Sequence, residues 1–114
     1  MNCQRNYPWY TGWQKDFATR DFEIIGIHTP EFPQEREVDR IREQVAKANF
    51  KFPVVIDNDS KNWNTWGNSM WPSVYLIDKH GNIRYWWYGE LNWQGARGDQ
   101  IMRRRIEELL AESY

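Results

Sequence analysis

The sequence predicts an α/β domain in which parallel strands carry helices on both faces and an antiparallel hairpin adds one edge. Three observations predict it. Helical stripes alternate with short apolar runs through the first two thirds of the chain, and alternation implies parallel strands joined by helical crossovers. Two apolar runs then flank Lys79-His80-Gly81-Asn82, the pattern of a hairpin turn. The chain has 114 residues without a repeat, a linker or a low-complexity tract, which suits a single domain with its own core.

Each element has its own signal. From Cys3 to Arg20, the recurrence of Trp9, Trp13 and Phe17 at steps of four marks a helix, and Pro8 inside it predicts a kink. Phe22 to His28 is isoleucine-rich and closed by Thr29-Pro30, so it reads as a buried strand. A polar helix is expected over residues 34–48, with Val38, Ile41, Val45 and Ala48 as its inner face. Phe52 to Asp57 reads as a second strand, ended by the turn formers Asn58, Asp59 and Ser60. Ser60 is placed to cap a short helix over residues 61–66 that Gly67 closes. Ser73–Asp78 and Ile83–Tyr88 form the hairpin. The last helix, over residues 99–112, turns Met102, Ile106, Leu109 and Leu110 inward. Its Arg103–Glu107 and Arg104–Glu108 spacings allow ion pairs, so the arginine run reads as a solvated face.

Composition removes several function classes. Fifteen basic residues oppose sixteen acidic ones, so no field favours nucleic acid or an anionic membrane. No apolar run approaches the roughly 20 residues that cross a bilayer. The first ten residues lack the apolar stretch of a signal peptide. No cofactor is expected. Two separated histidines and one cysteine make no metal set, and Gly95-Ala96-Arg97-Gly98 lacks the lysine and spacing of a phosphate loop. The eight tryptophans are read as packing rather than as a sugar platform, because aromatics bring large buried area wherever they occur.

Four segments, in order, resemble one family. They are Cys3-Gln4-Arg5-Asn6-Tyr7-Pro8, Ile24 to Phe32, Phe52 to Asp59, and Trp71-Pro72-Ser73-Val74-Tyr75-Leu76-Ile77-Asp78 with Gly81. Together they are similar to the thioredoxin-like domains of the TlpA, ResA and DipZ type, and Gly26 to Phe32, Asp57-Asn58-Asp59 and the fourth segment look closest to the DipZ branch. The resemblance implies a thioredoxin-like three-layer sandwich and thiol–disulfide exchange on a protein disulfide or dithiol. It also implies a place outside the cytoplasmic membrane, with a membrane electron carrier as a partner. Cys3 matches the second, resolving cysteine of a C-x-x-C motif, and Pro72, after Trp71, matches the family's cis-proline. The first cysteine would stand immediately before Met1. The chain therefore reads as beginning inside its own motif, as a single domain without the strand that feeds the active-site helix. Lacking that strand, the neighbouring strands must pair directly or leave open edges, which predicts marginal stability or self-association into a homodimer.

Exchange needs an attacking thiolate and a second thiol to resolve the mixed disulfide. A helix N-terminus lowers a cysteine's pKa, and Cys3 is placed to feel that field. Alone it forms mixed disulfides but completes no two-thiol cycle. Where relatives of the ResA kind carry a glutamate three residues after the second cysteine, this chain has Asn6. His28 and Glu31 flank the loop after a parallel strand, where open α/β sheets place ligands, and either is a candidate proton relay. The backbone of Trp71 is the candidate substrate contact. A second hypothesis keeps the fold and drops the chemistry: a redox-inactive module binding extended peptide at Trp71-Pro72. A sugar-binding protein is a distant third.

Overall fold

The computed structural model describes residues 2–114. A 3-10 turn over Asn2–Asn6 leads into α1, Tyr7–Asp16. Then follow β1 (Gly26–His28), a 3-10 turn (Pro33–Arg36), α2 (Val38–Ala48), β2 (Val54–Ile56) and α3 (Lys61–Thr65). The hairpin β3 (Ser73–Ile77) and β4 (Ile83–Tyr88), a short turn at Trp93–Gly95, and α4 (Gly98–Ala111) complete the chain.

The expected order holds, with shorter elements. Pro8 makes no kink, because it occupies the first turn of α1, where its missing N–H has no intrahelical partner to lose. The first helix ends at Asp16 instead of Arg20. Of the strand expected over residues 22–28, only Gly26–His28 pairs, and that pairing is parallel to β2. Ser60 does not cap α3. It adopts a left-handed backbone with φ 59°, and its side chain makes no cap bond. Asp57 does the capping instead: its carboxylate accepts the amides of Asn62 at 3.1 Å and Trp63 at 3.0 Å.

The arginines of α4 also differ from expectation. Arg105 pairs with Glu108 one turn on, at 2.9 Å, and lies over the Tyr85 ring. Arg103 reaches back to Asp16 of α1 at 2.8 Å and covers Phe17. Their stems and guanidinium planes pack on aromatic rings while the charge stays wet.

The sheet is divided. β1 pairs with β2 and β3 pairs antiparallel with β4, as two separate two-stranded ladders. One core, Trp13 and Phe17 with Leu91, Met102 and Ile106, takes Val74, Leu76 and Trp87 from the hairpin and Ile24 from the segment before β1. Because side chains alternate along a strand, Ile25, Ile27 and Ile77 face the other way, and all three are exposed. No helix among the described residues is long and apolar enough to cross a membrane.

Candidate functional site

Cys3 lies in the 3-10 turn that opens α1, and the fold gathers five other groups around it. A small cavity of about 40 Å³ is lined by Cys3, Tyr7, His28, Glu31, Glu35 and Trp71, with Thr29 and Gln44. Three of these come from the end of β1 and the loop after it, one from α1 and one from the loop before β3. All five candidates from the sequence therefore converge, since Pro72 joins Cys3, His28 and Trp71 around the larger neighbouring cavity. The Trp71–Pro72 peptide is cis.

The electrostatics of Cys3 run against the expected direction. A helix N-terminus should lower the thiol's pKa, yet it is raised to about 11. Burial is the largest cause, and the negative charges of Glu35 and Glu31 add to it. An opening 3-10 turn offers a weaker dipole than a full helix, and desolvation of a thiolate outweighs it. Tyr7 and Tyr10, beside it, are raised as well, in both cases chiefly by burial.

His28 uses its Nε2 against the backbone carbonyl of Glu35, at 2.8 Å. That bond ties the end of β1 to the Pro33–Arg36 turn. Glu31 is exposed, and its amide donates to Glu35 Oε1 at 2.7 Å. The same Oε1 accepts the Phe32 amide at 3.0 Å. Glu35 thus closes its own turn with one oxygen, while its Oε2 is buried with no hydrogen-bond partner among the described residues. Sequence reasoning missed Glu35. Its signal was Pro33 at the first position of the turn and a glutamate two residues on, placed to reach back to the preceding amides.

Asn6 has a structural task. It is 1% exposed, accepts the Leu91 amide at 2.9 Å and donates to the Tyr10 hydroxyl at 3.0 Å. The position where the resemblance expects an acid therefore brackets α1 to the segment before α4. Trp71 is also fixed from behind. Its indole N–H donates to Thr29 O at 2.8 Å, and its ring stacks on Trp63 with centroids 3.9 Å apart. Asp57 supports the same corner through the Thr29 hydroxyl, at 2.8 Å. Burial pushes the Asp57 carboxyl up, but the Trp63 and Asn62 amides and the Thr29 hydroxyl outweigh it and hold it below the usual range.

The site brings a half-buried thiol, a buried carboxylate oxygen and an ordered loop together at the end of a parallel strand. A model of the AhpC/TSA family matches residues 1–86. The chain belongs to the AhpC/TSA family. Within this redoxin family, protein DipZ of Mycobacterium tuberculosis (strain CDC 1551 / Oshkosh) is 33% identical over 90 residues, covering 79% of this chain. Those residues are only 13% of that protein's length. Thiol-disulfide oxidoreductase YkuV of Bacillus subtilis (strain 168) is 23% identical over 111 residues, which is 97% of this chain and 70% of that one. The solution structure of a thioredoxin-like protein in its oxidised form matches with a TM-score of 0.81 at 20% identity. That match covers 98% of this chain and 71% of the other, and it establishes the thioredoxin-like fold.

Proposed function

We propose that this redoxin domain takes part in thiol–disulfide exchange with protein substrates, and that Cys3 is the resolving sulfur. The observation that carries this reading is that half-buried Cys3 shares one small cavity with Glu35, whose buried Oε2 has no hydrogen-bond partner among the described residues. An attacking sulfur needs exposure and a low pKa, whereas a resolving sulfur acts later, on a disulfide already delivered to it. A thiol raised to about 11 by burial suits the second task.

In the reaction inferred here, the substrate is joined by a disulfide to the first cysteine of a C-x-x-C pair, at the position immediately before Met1. Cys3 gives its proton to Glu35, and its thiolate attacks the first cysteine's sulfur. The new bond joins those two sulfurs, and the substrate leaves as a thiolate that takes up a proton. Trp71 and Pro72 border the entry and form the substrate contact. Through its bond to Glu35 O, His28 positions the turn that presents Glu35 and so acts as a positioning residue. Glu31 adds negative charge near the thiol. The inferred setting is outside the cytoplasmic membrane, with a membrane electron carrier as the redox partner, in keeping with the resemblance to the DipZ branch.

The test is the rate at which Cys3 is alkylated as a function of pH, with trapping by an aromatic disulfide. The half-point is expected near 11, and Glu35→Gln should lower it by removing a nearby negative charge while retaining the turn. The trapped species should be a mixed disulfide that persists until external thiol is added. Failure of the folded protein to form it at any pH would sink the exchange reading and leave a peptide-binding module.

A further inference from the structure

Asn6 ends the 3-10 turn that carries Cys3 and stands at the N-cap of α1, yet its side chain makes no cap bond. Asparagine is favoured at an N-cap because its side-chain oxygen can take an amide of the first helical turn. Here that oxygen accepts the Leu91 amide at 2.9 Å instead, and the side-chain amide donates to the Tyr10 hydroxyl at 3.0 Å. The Leu91 bond lies out of water, since Asn6 is 1% exposed and Leu91 is fully buried. One residue earlier, Arg5 reaches Glu90 at 3.1 Å. Consecutive residues of the Cys3 turn therefore hold consecutive residues of the segment before α4.

The far side of this clamp is itself fixed. Glu90 O accepts the Trp87 indole N–H at 3.2 Å, and Leu91 O accepts the Gly98 amide at 2.7 Å. The Leu91 side chain sits in the core with Trp13, Phe17, Met102 and Ile106. The turn is thus tied to the best-packed part of the molecule, and Cys3 lies three residues from the buried bond. Depth matters for this thiol, because burial is the largest cause of its raised pKa.

The geometry points to Asn6 as a positioning residue of the exchange reaction: through Leu91 and Tyr10 it fixes the depth at which Cys3 is presented, and it does so without adding charge. Its part in exchange rests on the reading proposed above, whereas its hold on the thiol does not. A side-chain amide supplies one acceptor for the Leu91 N–H, one donor for the Tyr10 oxygen and no charge. A carboxylate would keep the Leu91 bond but add a third negative charge to those of Glu31 and Glu35. An apolar side chain would avoid the charge and leave the buried Leu91 amide without this partner. The other titratable groups at the thiol's cavity are His28, whose Nε2 meets Glu35 O, and Tyr7, whose phenol burial keeps neutral. Arg5 and Glu90 are paired with each other.

The test is the rate of alkylation by iodoacetamide on the whole chain, over a pH range of about 7–10, with a thermal melt of each variant. Cys3 is the only cysteine, so it gives the whole signal. Asn6→Ala frees the turn and should react roughly tenfold faster than the parent at each pH, since one unit of pKa is tenfold in thiolate. Asn6→Asp keeps the Leu91 bond, adds the charge and should react roughly threefold more slowly. A merely structural Asn6 would lower the melt of Asn6→Ala and leave its pH profile on the parent's, and that result overturns the proposal. If Asn6→Ala does not fold, Asn6→Asp decides, and a rate equal to or above the parent's overturns the proposal as well. Mixed-disulfide formation by the parent is scored separately. Its absence would end the exchange reading and leave the comparison of alkylation rates untouched.

Discussion

The two halves of this molecule are built to different standards. The half made of α1, α4 and the β3–β4 hairpin buries Leu91 completely and Met102 to 1%, and its side chains close on one another. In the half made of β1, α2 and β2, Ile41 is the one buried residue of α2, and Ile25, Ile27 and Val55 are largely exposed. The candidate site spans the junction, taking Cys3 and Tyr7 from the first half and His28, Glu31 and Glu35 from the second. Stability is thus concentrated in the half that supplies the thiol, while the loop carrying the acid rests on hydrogen bonds.

The sharpest way to break this comparison is to cut a side chain from each half. Met102→Ala should cost about 2–5 kcal/mol, since a cavity in a tight core adds to the lost transfer energy. Ile25→Ala, at 62% exposed, should stay within about 0.5 kcal/mol. Denaturant melts of both variants decide it, and equal losses would erase the distinction. Gly98→Ala probes the same packing from the opposite direction. A Cβ there would meet Leu91 O at 2.4 Å and the Trp87 ring at 2.8 Å, and the first of these is backbone that cannot rotate away. Overpacking of this kind should cost about 1–3 kcal/mol, again visible as an earlier melt.

Next in size is Asp57, which holds the Thr29 hydroxyl and two α3 amides at the site's corner. Asp57→Asn keeps the shape but aims an amide N–H at donors, and should cost about 1–3 kcal/mol. The carboxyl's pKa is lowered in the folded state. Its contribution is therefore full above the ordinary value of 3.8 and fades as pH falls through the folded value. The variant should show a flatter loss of stability in acid than the parent. A parallel acid limb would mean that Asp57 titrates normally and that the corner is held by packing alone.

How much of this was legible beforehand follows from the range of the interactions. The helices and the hairpin were legible because periodicity and turn chemistry are local. That Cys3, His28, Glu31, Trp71 and Pro72 come together in space was legible because the four family segments carry them in order. The division of the sheet was legible as one of two expected outcomes, direct pairing of the neighbouring strands or open edges, but which of them holds depends on residues some fifty positions apart in sequence. The roles of Asn6 and Asp57 escaped for a similar reason. Leu91, the partner of Asn6, is 85 positions away, and the local rule favoured Ser60 as the cap when a carboxylate from the end of β2 did the work. The direction of the Cys3 shift was missed because a dipole can be read from an element boundary, whereas burial cannot.

The smallest effect belongs to the hairpin end, where redundancy should mask a single loss. Arg84 bridges Asp78 at 3.1 Å and Glu112 at 2.7 Å, tying the turn to the end of α4. Asp78 is lowered to about 2, first by the Asn82 amide, with burial opposing and Arg84 and the His80 amide assisting. Because the Asn82 and His80 amides remain in Arg84→Gln, the carboxyl should still titrate below its ordinary 3.8, though above the parent's value. The stability it supplies is complete above 3.8 and is lost as pH drops toward about 2, so the variant should lose it at slightly higher pH. An NMR titration of the Asp78 carboxyl reads this directly. Added salt should weaken the parent's bridge and leave the two amide bonds intact, so the parent in high salt should approach the variant. A return of Asp78 to its ordinary value in Arg84→Gln would show that this end, too, depends on one contact, and the contrast between the halves would shrink to core packing.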